Sequence, residues 1–169
     1  MKFYLVAILS IILDQITKFL ILKKFSNLPA GYSEKIGGDF FTLTLVKNKG
    51  TAFGLQLITS PWPVLVSTIF VFTLLTYYVI RKYKEPFFMY GLSFILGGAV
   101  GNLIDRFRFG YVIDFLNFQI WPVFNIADIV ITTGVGMIIL NIFFNSNPVV
   151  NKNIKTSENK TDIAVSNLE

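Results

Sequence analysis

The chain has 169 residues, is 53% hydrophobic with 18 Phe, and is only 15% charged at a formal net charge of +5. A soluble domain carries about 25% charged residues, so this composition points to a polytopic membrane protein. With no Cys and no His, it also excludes disulfides, thiol catalysis, a Ser-His-Asp triad and thiolate- or His-ligated metal sites.

A spanning helix needs about 20 mostly apolar residues, and the length accommodates four spans, at about 3–22, 62–80, 87–104 and 124–144. They form one membrane domain over residues 1–144, mainly α-helical, with a small β segment at about 32–57 and a tail at 145–169. Phe3 to Leu22 is the first apolar run, interrupted by Asp14, Gln15, Thr17 and Lys18. No small-residue cleavage site follows it, so it reads as an uncleaved span rather than a secretory signal peptide. Asp14 and Lys18 stand four apart and share a helix face. They either offset each other's insertion cost or turn a polar face toward a site shared with other spans. Lys23 and Lys24 close the span by snorkelling to the interface.

Ser26 to Gly38 reads as loop, with Pro29, Gly31 and the Gly37-Gly38 pair. Phe41, Leu43 and Leu45 then alternate with Thr42 and Thr44, the period of a strand. Lys47-Asn48-Lys49-Gly50 is a turn sequence, and Thr51 to Leu57 suits a short amphipathic piece on the membrane surface. Pro61-Trp62-Pro63 opens the second span with an interfacial Trp, and Arg81, Lys82 and Lys84 form a tight basic loop before the third. The third span carries Gly97-x-x-x-Gly101, a spacing that lets helices approach closely. Beyond Phe144 the polar tail has no hydrophobic periodicity, and disorder is expected there.

Four spans place both termini on one side with the basic loop. That side holds seven of the 15 basic residues and the opposite side eight, so the count alone does not orient the chain; the tight loop favours cytoplasmic termini. Asp14, Asp105, Asp114 and Asp128 then all fall toward the outer face. Ionisable groups in or near hydrocarbon cost roughly 2.5–3.5 kcal/mol each on insertion scales and mark function.

Each acid also has a plain structural reading. Asp105-Arg106 can be a charge pair at a helix end, Asn125-x-x-Asp128 a capping box, and Asp114 a solvated loop acid in an alternating Tyr-Val-Ile-Asp-Phe-Leu run. Together, capping explains neither the apolar setting of Asp114 nor the gathering of Asn102, Asp105, Arg106, Asn125 and Asp128 at one end of the spans. Two carboxylates sharing a site hold one proton between them, so one can act as base on a water and the other as acid. A Ser-Lys hydrolase using Ser10 and Lys18 fails on geometry, because eight residues along one helix is about 12 Å.

Five ordered stretches carry a resemblance: Asp14-Gln15-x-Thr17-Lys18, Asn48-x-Gly50-x-Ala52-Phe53-Gly54, Gly101-Asn102-x-x-Asp105-Arg106, Val112-Ile113-Asp114-Phe115 and Phe124-Asn125-x-Ala127-Asp128. They resemble the successive motifs of bacterial lipoprotein signal peptidase (signal peptidase II), an intramembrane aspartic protease. The resemblance implies four transmembrane helices with a small extracytoplasmic β-sheet and a short surface helix, in the bacterial cytoplasmic membrane. It also implies cleavage of prolipoproteins before the diacylglyceryl-modified cysteine, inhibition by globomycin, no cofactor and a monomer among membrane lipid. Asp114 and Asp128 become the catalytic dyad. Asp14, Lys18, Asn48, Gly50, Asn102, Asp105, Arg106 and Asn125 become supporting or substrate-contacting residues. Thr51 departs from the Ala usual at its place, which touches only local packing. The alternative is a small transporter or channel subunit with an intramembrane path over Asp14, Asp105 and Asp128.

Overall fold

The computed structural model describes residues 2–29, 32–38, 40–49, 77 and 85–145. Three of its helices are long and apolar enough to cross a membrane: Lys2–Phe25, Pro86–Phe109 and Ile126–Phe144. They correspond to the first, third and fourth predicted spans. The predicted second span at 62–80, apart from Tyr77, lies outside the described residues, as do Gly50, the Thr51–Leu57 piece and the tail beyond Asn145.

Helix α1 (Lys2–Phe25) buries Ser10, Asp14, Lys18, Ile21 and Phe25, a stripe at intervals of three and four residues that follows the helical period. Its remaining surface is apolar and exposed, with Tyr4 at 74% and Phe19 at 64%, whereas Asp14 is fully buried and Lys18 is 1% exposed. Water would penalise that inversion, and lipid favours it: with hydrocarbon outside, polar groups must find partners among the helices. Helix α2 (Pro86–Phe109) starts with Pro at its first position, where the missing N–H costs nothing. It runs past the apolar stretch that predicted an end at Ile104. Gly110 terminates it in the left-handed region at φ 75° and donates its N–H to the Arg106 carbonyl at 3.0 Å, a conformation that favours glycine. Helix α3 (Ile126–Asn145) completes the bundle.

Glycines set the approach of the helices. A methyl group on Gly97 would meet Ser10 Cβ at 2.6 Å on α1, and one on Gly98 would meet the Ala127 carbonyl oxygen at 2.5 Å on α3. The predicted Gly97-x-x-x-Gly101 face packs on α1, where a methyl on Gly101 would meet Asp14 Oδ2 at 2.5 Å, and Gly98, outside that spacing, serves α3. Since the Ala127 oxygen belongs to a backbone and cannot swing away, Gly98→Ala should destabilise the protein by about 1–3 kcal/mol, read as a lower unfolding temperature in detergent. An unchanged midpoint would contradict this close packing.

Strands β1 (Ser33–Gly37), β2 (Phe41–Asn48) and β3 (Val112–Asn117) form an antiparallel sheet in the order β1-β2-β3. β2 falls where apolar and Thr residues alternate. β1 corrects the loop expectation for this part of 26–38: Ser33–Gly37 has no apolar alternation and is largely exposed, so pairing with β2 makes it a strand. The sheet seats on the end of α1 through Ile21, Phe25, Ile113 and Phe115. After β3 the chain folds back, and Phe124 exchanges backbone hydrogen bonds with Leu116 at 2.8 and 3.0 Å. That closure carries Asn125, eleven residues on, back to Asp114.

Candidate active site

The site forms where α1, α2 and α3 meet the sheet, and it starts from one buried cation. The Lys18 ammonium contacts Asp14 Oδ2 at 2.9 Å and Asp105 Oδ2 at 2.8 Å, and donates to Asn102 Oδ1 at 2.9 Å. Its three protons thus meet three acceptors, as a buried ammonium requires. Asp14 and Lys18 do pair along their helix, but Lys18 also reaches α2. The sequence reading of Asp105-Arg106 as a charge pair is corrected: Asp105 pairs with Lys18, and its Oδ2 also takes the Ile113 N–H at 3.1 Å, tying α2 to β3. Arg106 instead donates through Nη1 to the Asn102 carbonyl at 3.4 Å, and its charge acts on Asp114, Asp128 and Asp105.

Gln15 stands in the first motif yet was not among the expected site residues. Its Nε2 lies 3.1 Å from Asp105 Oδ1, 3.1 Å from the Gly101 carbonyl and 3.2 Å from Asp14 Oδ2. Two carboxylates facing a single ammonium need such a further donor. Its place next to Asp14 on the polar face was the available signal.

Asp128 sits in the first turn of α3, where the helix dipole favours a carboxylate. The capping reading of Asn125-x-x-Asp128 holds in full. Asn125 Oδ1 accepts the Asp128 N–H at 3.0 Å, and Asp128 Oδ2 accepts the Asn125 N–H at 3.1 Å. Asp14 completes the cap from another helix, its Oδ1 accepting the Ala127 N–H at 3.0 Å. The other Asp128 oxygen accepts from Asn102 Nδ2 at 3.0 Å.

Asp114 lies on β3 opposite Val46, and the pleat puts Asn48, two residues further along β2, on the same face. Asn48 Nδ2 donates to Asp114 Oδ2 at 2.9 Å, and Asn125 Nδ2 donates to Oδ1 at 2.7 Å. Asn125 therefore touches both acids, Asp114 through its side chain and Asp128 through its backbone. The solvated-loop reading of Asp114 fails, since this residue is 2% exposed. Burial, reinforced by the charge of Asp128, pushes its carboxyl from the ordinary 3.8 up to about 6 against the pull of the two amides. A group titrating there exchanges protons near neutral pH.

Beside Asp128 opens a cavity of about 590 Å³ whose walls include Phe118, Ile120, Trp121, Phe124 and Ile129. An apolar space of that size with one carboxylate in its wall accommodates a segment of extended apolar peptide or lipid chain. Ser10, the other nucleophile weighed from the sequence, donates to the Val6 carbonyl at 2.9 Å within its own helix. Among the described residues no group of three or more acidic side chains is arranged to hold a metal ion.

Comparison with known proteins covers nearly all of this arrangement. The profile of the family described as Signal peptidase (SPase) II matches residues 6–144. A lipoprotein signal peptidase of Moorella thermoacetica is 43% identical over 135 residues, covering 80% of this chain and 88% of that protein. Another, of Halothermothrix orenii, is 41% identical over 137 residues, covering 81% and 92%. A solved chain described as a bacterial membrane enzyme structure obtained by the in meso method at 2.3 Å resolution aligns with a TM-score of 0.76 at 30% identity, over 88% of this chain and 91% of that one.

Proposed function

The chain belongs to the signal peptidase II family, the lipoprotein signal peptidases, and on that premise we propose that Asp114 and Asp128 cleave prolipoprotein signal peptides as an aspartate dyad. The carrying observation is that one buried asparagine holds both carboxylates, Asp114 at 2.7 Å and Asp128 at 3.1 Å, at the edge of an apolar cavity. One carboxylate takes a proton from a water that attacks the scissile carbonyl carbon. The protonated partner supports the carbonyl oxygen as negative charge develops there. When the tetrahedral intermediate collapses, a proton passes to the leaving amine and the C–N bond breaks. The step consumes one water and returns the dyad to its starting proton count.

The remaining groups divide by contact. Asn48 and Asn125 hold Asp114, while Asn102 holds Asp128. Arg106 supplies positive charge beside both acids, suited to a substrate carbonyl or lipid ester. In this reading the scissile bond precedes a diacylglyceryl-modified cysteine, and the apolar cavity takes the adjoining apolar part of the substrate. In the same reading Gly50 is a supporting or substrate-contacting residue, residues 62–80 are the remaining span, and 1–144 is one catalytic domain. Both termini are cytoplasmic, the site lies near the outer face of the cytoplasmic membrane, and the enzyme acts as a monomer among membrane lipids.

The test is cleavage of matched synthetic prolipoprotein peptides, with and without diacylglyceryl on the cysteine, by the purified protein in detergent. Only the lipidated peptide should be cut, on the N-terminal side of that cysteine. Equal cleavage of both peptides would reject the substrate assignment.

A further inference from the structure

Asn102 and Asn125 are buried amides, at 8% and 0% exposure, and an amide has two unlike ends. An ammonium group can only donate, so Lys18 admits only the oxygen end of Asn102. With Oδ1 held by Lys18 at 2.9 Å, Nδ2 has to point away, and it meets Asp128 Oδ1 at 3.0 Å. The same Oδ1 takes a second hydrogen bond, from Asn125 Nδ2 at 3.0 Å. Asn125 is thereby oriented as well, its nitrogen toward Asn102 and Asp114 and its oxygen toward the Asp128 N–H. Donor direction therefore passes from one cation through two amides to the acids.

We propose that Lys18 and Asn102 are positioning residues: Lys18 sets the orientation of the Asn102 amide, and Asn102 thereby holds Asp128 as the carboxylate that acts as base. The inference deepens the dyad reading and rests on it. Both acids have an N–H donor on each oxygen, Asp128 from Asn102 and the Asn125 backbone and Asp114 from Asn48 and Asn125, but only Asp128 also stands in the first turn of α3, where the helix dipole stabilises its anion. Asp114, on β3, has no helix N-terminus beneath it among the described residues and lies one amide further from Lys18 along the chain of bonds, which leaves it as the acid that carries the shared proton. Among the described residues, the charged groups around Asp128 are Asp114 from β3, Arg106 and Asp105 from α2, and Asp14 and Lys18 from α1.

The near-isosteric Asn102→Asp is the informative variant. It retains an oxygen for Lys18 and for Asn125 but turns an acceptor toward Asp128 where a donor stood. In the full-length protein, assayed on the lipidated peptide, kcat should fall about 100-fold or more, as for loss of one site hydrogen-bond donor, with KM within about threefold. The pH below which kcat is lost should rise by about one unit or more, because a carboxylate now faces the base. A purely structural role would lower kcat and leave the pH profile in place. That result, or wild-type kcat, would overturn the proposal. If Asn102→Asp does not fold, Asn102→Ala carries the same test, since removing the donor must also raise the acid limb. Failure of the dyad itself is distinguishable: it would appear as turnover by Asp128→Asn, whatever the profile of the Asn102 variants.

Discussion

Asp114→Asn and Asp128→Asn are each expected to reduce kcat by about 10³-fold or more while the protein still folds in membranes. Acid–base groups contribute about 10²–10⁴-fold apiece, and members of one unit do not act additively, so the double variant should be little worse than either single one. The substitutions are nearly isosteric and leave the Lys18 cluster intact. Asp114→Asn also has a stability signature with a defined sign. Its carboxyl titrates at about 6 in the native protein against 3.8 ordinarily, so folding takes up a proton between those values. The ionised form then costs the native state stability that grows as pH rises from about 4 to about 6 and is constant above, about 3 kcal/mol in all. On acidification from pH 7 to pH 4 the wild type should regain that amount through this group, and Asp114→Asn should not. Urea or thermal unfolding at the two pH values reads the difference. In turnover, kcat/KM should decline above about pH 6 as Asp114 loses its proton, with the corresponding limb of kcat at higher pH, since bound substrate dries the site further. Retained cleavage by either Asn variant would remove the dyad from the mechanism.

Lys18→Met carries the largest expected loss of stability, about 3–5 kcal/mol, the usual consequence of removing one partner from a buried ion pair. The cause is two stranded carboxylates. Asp14 and Asp105 lie 2.9 and 2.8 Å from the ammonium, both fully buried, and Gln15 alone cannot replace three donors. Adding Asp105→Asn restores the net charge of the cluster, so Lys18→Met/Asp105→Asn should be more stable than Lys18→Met alone, with a coupling of about 1–3 kcal/mol between the sites. The exposed Lys24–Glu34 pair is the internal contrast. Lys24→Met should change stability by less than about 1 kcal/mol. Unfolding midpoints in one detergent check all three, and equal losses at Lys18 and Lys24 would refute the account.

The features legible from the residues alone are those governed by local rules. Apolar run length marks the three long helices among the described residues, a spacing of four pairs Asp14 with Lys18, and alternation marks β2. The Asn125-x-x-Asp128 spacing specifies a reciprocal cap, and the lack of His and Cys excludes a Ser-His-Asp triad and thiol catalysis. Each rule acts within about one helical turn or one strand, so the sequence contains all of its terms. Other features join distant parts of the chain: Asp105 prefers Lys18 to its neighbour Arg106, Gln15 bridges two acids, and β1 is a strand only because β2 lies beside it. Asp14 caps a helix through the Ala127 N–H, 113 residues later, and Lys18 reaches Asn102 across 84. No periodicity encodes those choices, because a buried polar group takes whichever partner packing brings within hydrogen-bond distance. For the same reason the surroundings of Asp114 and Asp128 were settled by tertiary structure, down to which end of Asn102 faces Asp128, because the Lys18 ammonium has no lone pair and takes the amide's oxygen.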